Sequence, residues 1–240
     1  MSIITTERTV ADIVSEKLSR ARVFELHGID YCCGGKRPLG EICAERSLNA
    51  EDIVQELKSA DAAAPAEQVS FNEMQPGQLC DEIVASHHDY LRSELPRLEP
   101  MIDKLAAKRG DVHPELPEVR DVYHAFEAEI FAHMMKEEQM LFPMIRQLAD
   151  AESIPSLHCG SVTNPIRAME MEHLNAGDAL AKMRKLTSGY APPEDACNTY
   201  RVMLAGLAEL EENMHHHIHK ENHILFPKAI ERENELRARG

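Results

Sequence analysis

Two segments of the chain carry the same chemistry: His133-Met-Met-Lys-Glu137, continued by Glu-Gln-Met-Leu-Phe-Pro143, and His217-Ile-His-Lys-Glu221, continued by Asn-His-Ile-Leu-Phe-Pro227. An imidazole and a carboxylate at this i, i+4 spacing share one face of a helix. Each pair lies inside a stretch of helical periodicity, so both groups point toward whatever the apolar stripe packs against. A carboxylate in such a place needs a partner for its charge, and a metal ion satisfies the carboxylate and the imidazole together. Two copies of the pair imply two metal ions.

Four helical stretches position these groups. The first, from 78 to about 108, places Val84, His88, Leu91, Leu95, Leu98, Ile102 and Leu105 on one stripe; the stripe selects His88 over His87, and Pro96 and Pro100 predict a kink or a local break. The second opens at Pro117 and carries Val119, Val122, Phe126, Ile130, His133, Glu137, Met140 and Met144. The third carries Ile166, Met169, His173, Ala176, Leu180 and Met183, with Gly177 beside them allowing close helix approach. The fourth, running to about 233, carries Tyr200, Met203, Leu207, Leu210, Met214, His217, Glu221 and Ile224. His215, His216, His219 and His223 fall off that line and read as solvated polar residues, with weak surface metal capture as the alternative. An inward His followed by an inward His-x3-Glu, then the same again, is an internal duplication of a helix pair. The predicted fold class is therefore all-α, an up-down-up-down four-helix bundle with its polar groups gathered at one level.

Six candidate metal ligands emerge: His88, His133, Glu137, His173, His217 and Glu221. Imidazole with carboxylate and without thiolate suits iron or manganese better than structural zinc. If each Glu bridges, each metal receives two imidazoles and two carboxylate oxygens, leaving about two octahedral positions for an oxo or hydroxo bridge and an open site. Spacing does not settle which histidines share a metal. A set poorer in carboxylates than ferritin-like sites favours an accessible ferrous state, with reversible redox or iron release. Glu170, a turn before His173, is a candidate to orient an imidazole or line a channel, with a surface carboxylate as the alternative, while Met134, Met135 and Met171 read as core filler.

Residues 1–60 read as a small helical domain, with periodic segments at Val10–Leu18, Ala21–Leu26, Leu39–Ala44 and Ala50–Leu57 and a helix stop at Gly28. Between the second and third segments lies Asp30-Tyr31-Cys32-Cys33-Gly34-Gly35-Lys36, whose glycines permit positive φ or close backbone approach. Cys32 and Cys33, near Lys36 and Arg37 whose charges would lower a thiol pKa, are candidates for a thiol role: redox chemistry, transient metal or sulfur handling, or a vicinal disulfide. The alternative is two small residues filling a tight turn. Residues 61–77, with Pro65 and Pro76 and few large apolar side chains, predict a linker that lets the small domain move or dock.

Composition narrows the function classes. The 240 residues are 43% hydrophobic, with no Trp and 12 Met, which favours helices over sheets. Lys and Arg number 26 against 41 Asp and Glu, a net charge of −15, and no basic patch relieves it; nucleic acid and anionic membranes are unsuitable partners. No apolar run is long enough to span a bilayer, and Glu7, Asp12 and Glu16 interrupt the region where a signal peptide would be apolar, so a cytoplasmic location is expected. The six cysteines, at 32, 33, 43, 80, 159 and 197, are too scattered for a disulfide framework.

The Asp30 to Lys36 turn, the two His-x3-Glu segments with their Leu-Phe-Pro tails, His88-Asp89 and Glu172-His173 together resemble the hemerythrin-like proteins. The resemblance is closer to the iron-sulfur cluster repair di-iron proteins, also called regulator-of-cell-morphogenesis and nitric-oxide-signalling proteins. It spans nearly the whole chain. It implies a hemerythrin-like bundle at 78–240 holding a non-heme di-iron centre, with His88, His133, His173 and His217 as terminal ligands and Glu137 and Glu221 as bridges. It also implies that Cys32 and Cys33 take part in the function. The implied role is repair of iron-sulfur clusters damaged by nitrosative or oxidative stress, as an iron donor to damaged or apo iron-sulfur proteins. Nitric oxide reduction at the di-iron site is one alternative, and binding or sensing of a diatomic ligand, O2 or NO, is another. Paired cysteines on a separate small domain weigh against simple carriage, and self-association into a homodimer stays open.

Overall fold

The short periodic segments near the N-terminus form four helices, α1 (Val10–Glu16), α2 (Ala21–Leu26), α3 (Leu39–Glu45) and α4 (Ala50–Ala63), in a computed structural model that describes residues 4–63 and 71–239. Thr9 caps α1 by accepting the Asp12 N–H on its Oγ1 at 3.1 Å, and Gly28, at φ +62°, stops the chain after α2. Phe24, Leu39, Ile53 and Leu57 are buried in the core of this domain. Its ion-pair clamp is Arg20, nearly inaccessible, which donates to both carboxylate oxygens of Asp61 at 2.9 and 2.8 Å.

Four long helices follow. The first comprises α5 (Pro76–Ile83) and α6 (Asp89–Arg109), the second α7 (Glu115–Lys136) and α8 (Phe142–Asp150), the third α9 (Thr163–Leu186), and the fourth α10 (Asn198–Lys220) and α11 (Phe226–Arg239). Connections at 110–114, 151–162 and 187–197 turn each helix back against its predecessor, as expected of an up-down bundle. No helix among the described residues is long and apolar enough to cross a membrane. Of the expected linker at 61–77, residues 64–70 lie outside the described residues; Phe71–Glu73 makes a 3-10 turn and α5 starts at Pro76.

The three composite helices each pass through a π-helical turn: Val84–His88, Glu137–Leu141 and Glu221–Leu225. In these turns the N–H of Asp89, Phe142 and Phe226 reaches back to the carbonyls of Val84, Glu137 and Glu221. Each turn inserts one extra residue and so rotates everything beyond it. This corrects two members of the predicted stripes. Met140 is 48% exposed, and Leu141, Phe142, Ile145 and Leu148 fill the core instead; Ile83 rather than Val84 is buried in the first helix. Pro143 and Pro227 stand just beyond two of the turns, where the wider backbone relieves the clash between a proline ring and the preceding turn's carbonyl. Pro96 and Pro100, by contrast, produce no break: α6 continues through both, and both lie on its exposed face, where water can reach the carbonyls they leave unbonded.

The apolar core falls into two clusters. One joins the small domain to the half of the bundle containing Leu91, Leu98, Ile130, Leu180, Met214 and Ile218. The other holds Leu79, Ile83, Phe142, Ile145, Ile166 and Phe226. The polar side chains of the stripes occupy the level between them.

Candidate metal centre

That level contains His88, His133, Glu137, His173, His217 and Glu221, none more than 2% exposed. Their ligand atoms fall into two overlapping groups, His88, Glu137, His217 and Glu221, and His133, Glu137, His173 and Glu221, within each of which all atoms lie within 4.8 Å of one another. Both carboxylates belong to both groups. Glu137 divides its oxygens: Oε1 lies 3.2 Å from His133 Nε2, while Oε2 lies 3.3 Å from His88 Nε2 and 3.8 Å from His217 Nε2. Glu221 Oε2 lies 3.0 Å from His173 Nε2 and 3.3 Å from His217 Nε2. The histidines pair across the duplication, first helix with fourth and second with third, so neither repeat could close a group alone.

The donor set fits a cation. None of the four oxygens of Glu137 and Glu221 has a hydrogen-bond partner, nor has Nε2 of His88 or His217. His133 and His173 hydrogen-bond outward through Nδ1, which turns the Nε2 lone pairs of neutral rings inward, 3.1 Å apart. Lone pairs facing each other and two carboxylates at this range repel unless positive charge lies among them. Protons alone can meet part of the demand. Burial disfavours a charged ring, yet Glu137 and the neighbouring carboxylates push the His133 pKa up to about 10, and Glu221 and Glu137 push that of His217 to about 9. Burial also opposes the charge of Glu137, but His133 beside it holds its carboxyl well below the usual range.

Side chains next to these six residues hold them in place. His88 donates from Nδ1 to Glu138 at 2.6 Å, and Glu138 also accepts from Arg92 at 2.5 Å. His133 donates to Glu172 at 2.9 Å, and Lys136 pairs with the same carboxylate; the hydrogen bond from His133 is the main cause lowering the Glu172 pKa to about 2. A carboxylate behind an imidazole fixes its tautomer and makes it a more basic ligand. His173 donates instead to the amide of Asn222 at 2.8 Å. His217 Nδ1 has no hydrogen bond, and His87 stacks on its ring at 5.5 Å. Phe142 stacks on His88 and Phe226 on His173, at 5.8 and 6.0 Å.

The repeated tail thereby acquires a purpose. The residue after each Glu (138, 222) and the Phe of each Leu-Phe-Pro (142, 226) support the histidine of the preceding helix. Periodicity missed Glu138, Glu172, Asn222 and His87 as supports, because none lies on a stripe. The signal was present in the duplication, where Glu138 aligns with Asn222 and His87 with Glu172, each adjacent to a ligand. Glu170 does not orient an imidazole; its carboxylate lies 3.8 Å from Lys36. Met135 and Met171 are 55% and 58% exposed rather than core filler, whereas Met134 is buried.

The N-terminal turn lies against the third and fourth helices. Asp30 accepts the N–H groups of Cys32, Cys33 and Gly34 at 2.9, 2.9 and 2.7 Å. Gly35 is required by close approach, since a Cβ there would lie 2.2 Å from the Tyr31 carbonyl; neither Gly34 nor Gly35 adopts positive φ. Cys32 and Cys33 are free thiols with Sγ atoms 3.8 Å apart, and Cys33 Sγ lies 3.8 Å from the His173 carbonyl. The expected lowering of a thiol pKa by Lys36 and Arg37 does not occur at Cys32. Lys36 is drawn to Glu170 and Arg37 to Glu41 and Glu45. The hydrogen bond to Cys33, burial and the nearby Asp30 carboxylate all push the Cys32 thiol well above its ordinary pKa. Asp30, Cys32 and Cys33 nonetheless form a further group that could hold a cation, beside a cavity of about 540 Å³ lined also by Gly177, Arg184 and His215.

The off-stripe histidines are not solvated polar residues. His219 lies between the Tyr31 carbonyl, at 3.3 Å from Nδ1, and Ser15 Oγ, at 3.1 Å from Nε2. His223 donates to the Cys32 carbonyl at 2.7 Å, and the rings of His215, His216 and His219 surround Tyr31. They form the seat of the small domain.

Comparison with known proteins agrees with this architecture. Residues 81–229 match the hemerythrin HHE cation binding domain, and residues 6–61 match a domain of unknown function, DUF542. The iron-sulfur cluster repair protein ScdA of Staphylococcus haemolyticus is 31% identical over 94% of this chain and 99% of its own length. The iron-sulfur cluster repair protein YtfE of Enterobacter sp. strain 638 is 32% identical over 93% and 97%. That of Escherichia coli O17:K52:H18 is 34% identical over 87% and 90%. With both domains matched, and with relatives aligned over nearly their full length, the chain belongs to the iron-sulfur cluster repair protein family, and its bundle is a cation-binding hemerythrin domain.

Proposed function

We propose that His88, His133, Glu137, His173, His217 and Glu221 hold two iron ions, and that the protein supplies iron to iron-sulfur clusters damaged by nitrosative or oxidative stress. The observation that carries this reading is the pair of overlapping groups sharing both buried carboxylates. Bound iron would supply a ferrous-ferric couple and is also the cargo. Glu137, with one oxygen toward each group, would help to hold both ions. Only two anionic ligands serve two ions, and the other four are neutral imidazoles; such a set holds ferrous iron less firmly than a carboxylate-rich one. The Cys32–Cys33 turn, in contact with the backbone of His173, is the thiol element on the side where cargo would pass to a damaged or apo iron-sulfur protein. The relatives named for this repair support the assignment, and in this reading the protein works in the cytoplasm.

The test loads the reduced protein with isotopically labelled iron and incubates it with a damaged cluster enzyme. Mössbauer spectra should show the label in the rebuilt cluster, and the Glu137→Ala/Glu221→Ala variant should restore nothing. Normal repair by that variant would sink the proposal. Full retention of the label together with catalytic conversion of NO to nitrous oxide would favour reduction of a diatomic ligand at the same site instead.

A further inference from the structure

The four imidazoles are not held alike. His88 and His133 are backed by carboxylates that are themselves paired with Arg92 and Lys136. His173 is backed by a neutral amide, and His217 Nδ1 by no hydrogen bond. The better-held rings thus belong to the first repeat and the less firmly held ones to the second, on which the N-terminal domain sits.

Asn222 stands where the first repeat has Glu138. An amide can do what a carboxylate cannot, which is donate. Its Nδ2 reaches the Cys32 carbonyl at 3.4 Å, the same oxygen that accepts from His223 at 2.7 Å. A backbone carbonyl only accepts, so it selects the NH2 end of the amide and leaves Oδ1 to face His173. His173 must then carry its proton on Nδ1 and present a lone pair at Nε2, 3.0 Å from Glu221. One backbone oxygen of the small domain therefore sets the proton position of a ring inside the bundle.

We infer that Asn222 is a positioning residue through which docking of the N-terminal domain fixes the tautomer and orientation of His173, and so controls how firmly the centre holds iron. The inference rests on the metal reading of the site. A partner that lifts the Cys32–Cys33 turn removes the acceptor, frees the amide to rotate and loosens His173 ahead of the carboxylate-backed ligands. Iron then leaves on the side of a cavity of about 340 Å³ lined by Cys33, Lys36, Glu170, Asn222 and His223. Docking in this scheme is a latch.

The experiment measures iron transfer from the loaded full-length chain to a ferrous chelator. Asn222→Ala should speed release about 10- to 100-fold, the range expected for losing a side chain that orients a ligand. Gly177→Leu tests the latch from the surface of α9: a Cβ there meets only Cys33 Sγ, at 3.7 Å, and the longer side chain pushes against the turn while favouring the helix. It should speed release when Asn222 is present and change it by less than about twofold in the Asn222→Ala background. Asn222→Asp can still accept from His173 but cannot donate to Cys32, so it should retain iron at least as well as the parent and be insensitive to Gly177→Leu. Nitrogen-15 spectra of histidine-labelled, metal-free protein should show His173 protonated at Nδ1 in the parent and in Asn222→Asp, and mixed in Asn222→Ala. Unchanged release in Asn222→Ala, or effects of Asn222→Ala and Gly177→Leu that multiply independently, would overturn the coupling alone. A parent chain that takes up no iron would overturn the metal reading and the coupling with it.

Discussion

Glu137 and Glu221 are the most demanding residues in the chain. Both are fully buried, with side-chain oxygens that accept no hydrogen bond. Taking a carboxylate out of water costs several kcal/mol unless opposite charge compensates. The inward nitrogens of His88, His133, His173 and His217 add electron pairs to the same space. Binding that meets this demand stabilises only the folded state. Stripping iron with a chelator should therefore lower Tm by several degrees, and re-adding ferrous iron should restore it, as followed by circular dichroism. Glu137→Gln/Glu221→Gln removes both charges while keeping their volume, so its Tm should not respond to iron and, metal-free, should equal or exceed that of the stripped parent. An iron-dependent Tm in that variant would contradict the role given to the carboxylates. All six inward residues were legible from their spacing, because each lies on an apolar stripe. Their supports, Glu138, Glu172, Asn222 and His87, were not, because a residue that braces a ligand on the neighbouring helix lies off its own helix's stripe.

At the scale of the element, the π-helical turns decide the phase of the bundle. Glu137 and Glu221 open such turns and His88 closes one, while α9, which carries His173 alone, has none. The stripes of the second and fourth helices are therefore regular up to the Glu and shifted beyond it, and that of the first is shifted ahead of His88. The cause is visible in the two Leu-Phe-Pro tails, yet a reading based on a constant period carries it past the turn and puts Met140 where Leu141 belongs. Deleting the exposed Gln139 should convert the second turn to ordinary α-helix and leave Leu141, Phe142, Ile145 and Leu148 on the core face, because the regular period then reaches them directly from Glu137. The expected cost is the clash of Pro143 with the preceding turn once the backbone is no longer widened, on the order of 3 kcal/mol, and adding Pro143→Ala should recover most of it. A urea midpoint lowered as far in the double variant as in the deletion alone would show that the turn does not set the phase.

Across the whole molecule, the small domain and the bundle share one apolar cluster and a seat made of histidines. The small domain keeps its own shape through the Arg20–Asp61 pair, which ties α4 to the start of α2. The hydrogen bond from Arg20 holds the Asp61 carboxyl below its ordinary pKa of 3.8. A carboxyl lowered in the folded state contributes stability above its unfolded pKa and loses that contribution as pH falls through the folded value. Asp61→Asn should thus destabilise the small domain by on the order of 2 kcal/mol at pH 7, because Arg20 loses its main partner. The gap between variant and parent should begin to narrow below about pH 4 and go on narrowing as pH falls through the lowered folded value. Hydrogen exchange of α1 to α4 across pH would measure it, and a gap that stays constant from about pH 7 to the acid unfolding transition would contradict the assignment.

The sequence by itself determined the helical class, the duplication and the six inward residues, because helix period and burial are local consequences of side-chain order. It also marked Asp30 to Lys36 as a turn with two thiols. It left open which histidines share a group, because that depends on which helices become neighbours: His88 meets His217 and His133 meets His173 only once the two repeats have folded against each other. It misplaced the environment of Cys32 as well, since charges adjacent in sequence, Lys36 and Arg37, turn away toward carboxylates of other elements while Asp30 turns in. The four off-stripe histidines read as solvent-facing for the same reason, as the surface that covers them belongs to another domain. Tertiary structure decided what each polar group faces, and for this protein that choice is what joins the thiol turn to the metal centre.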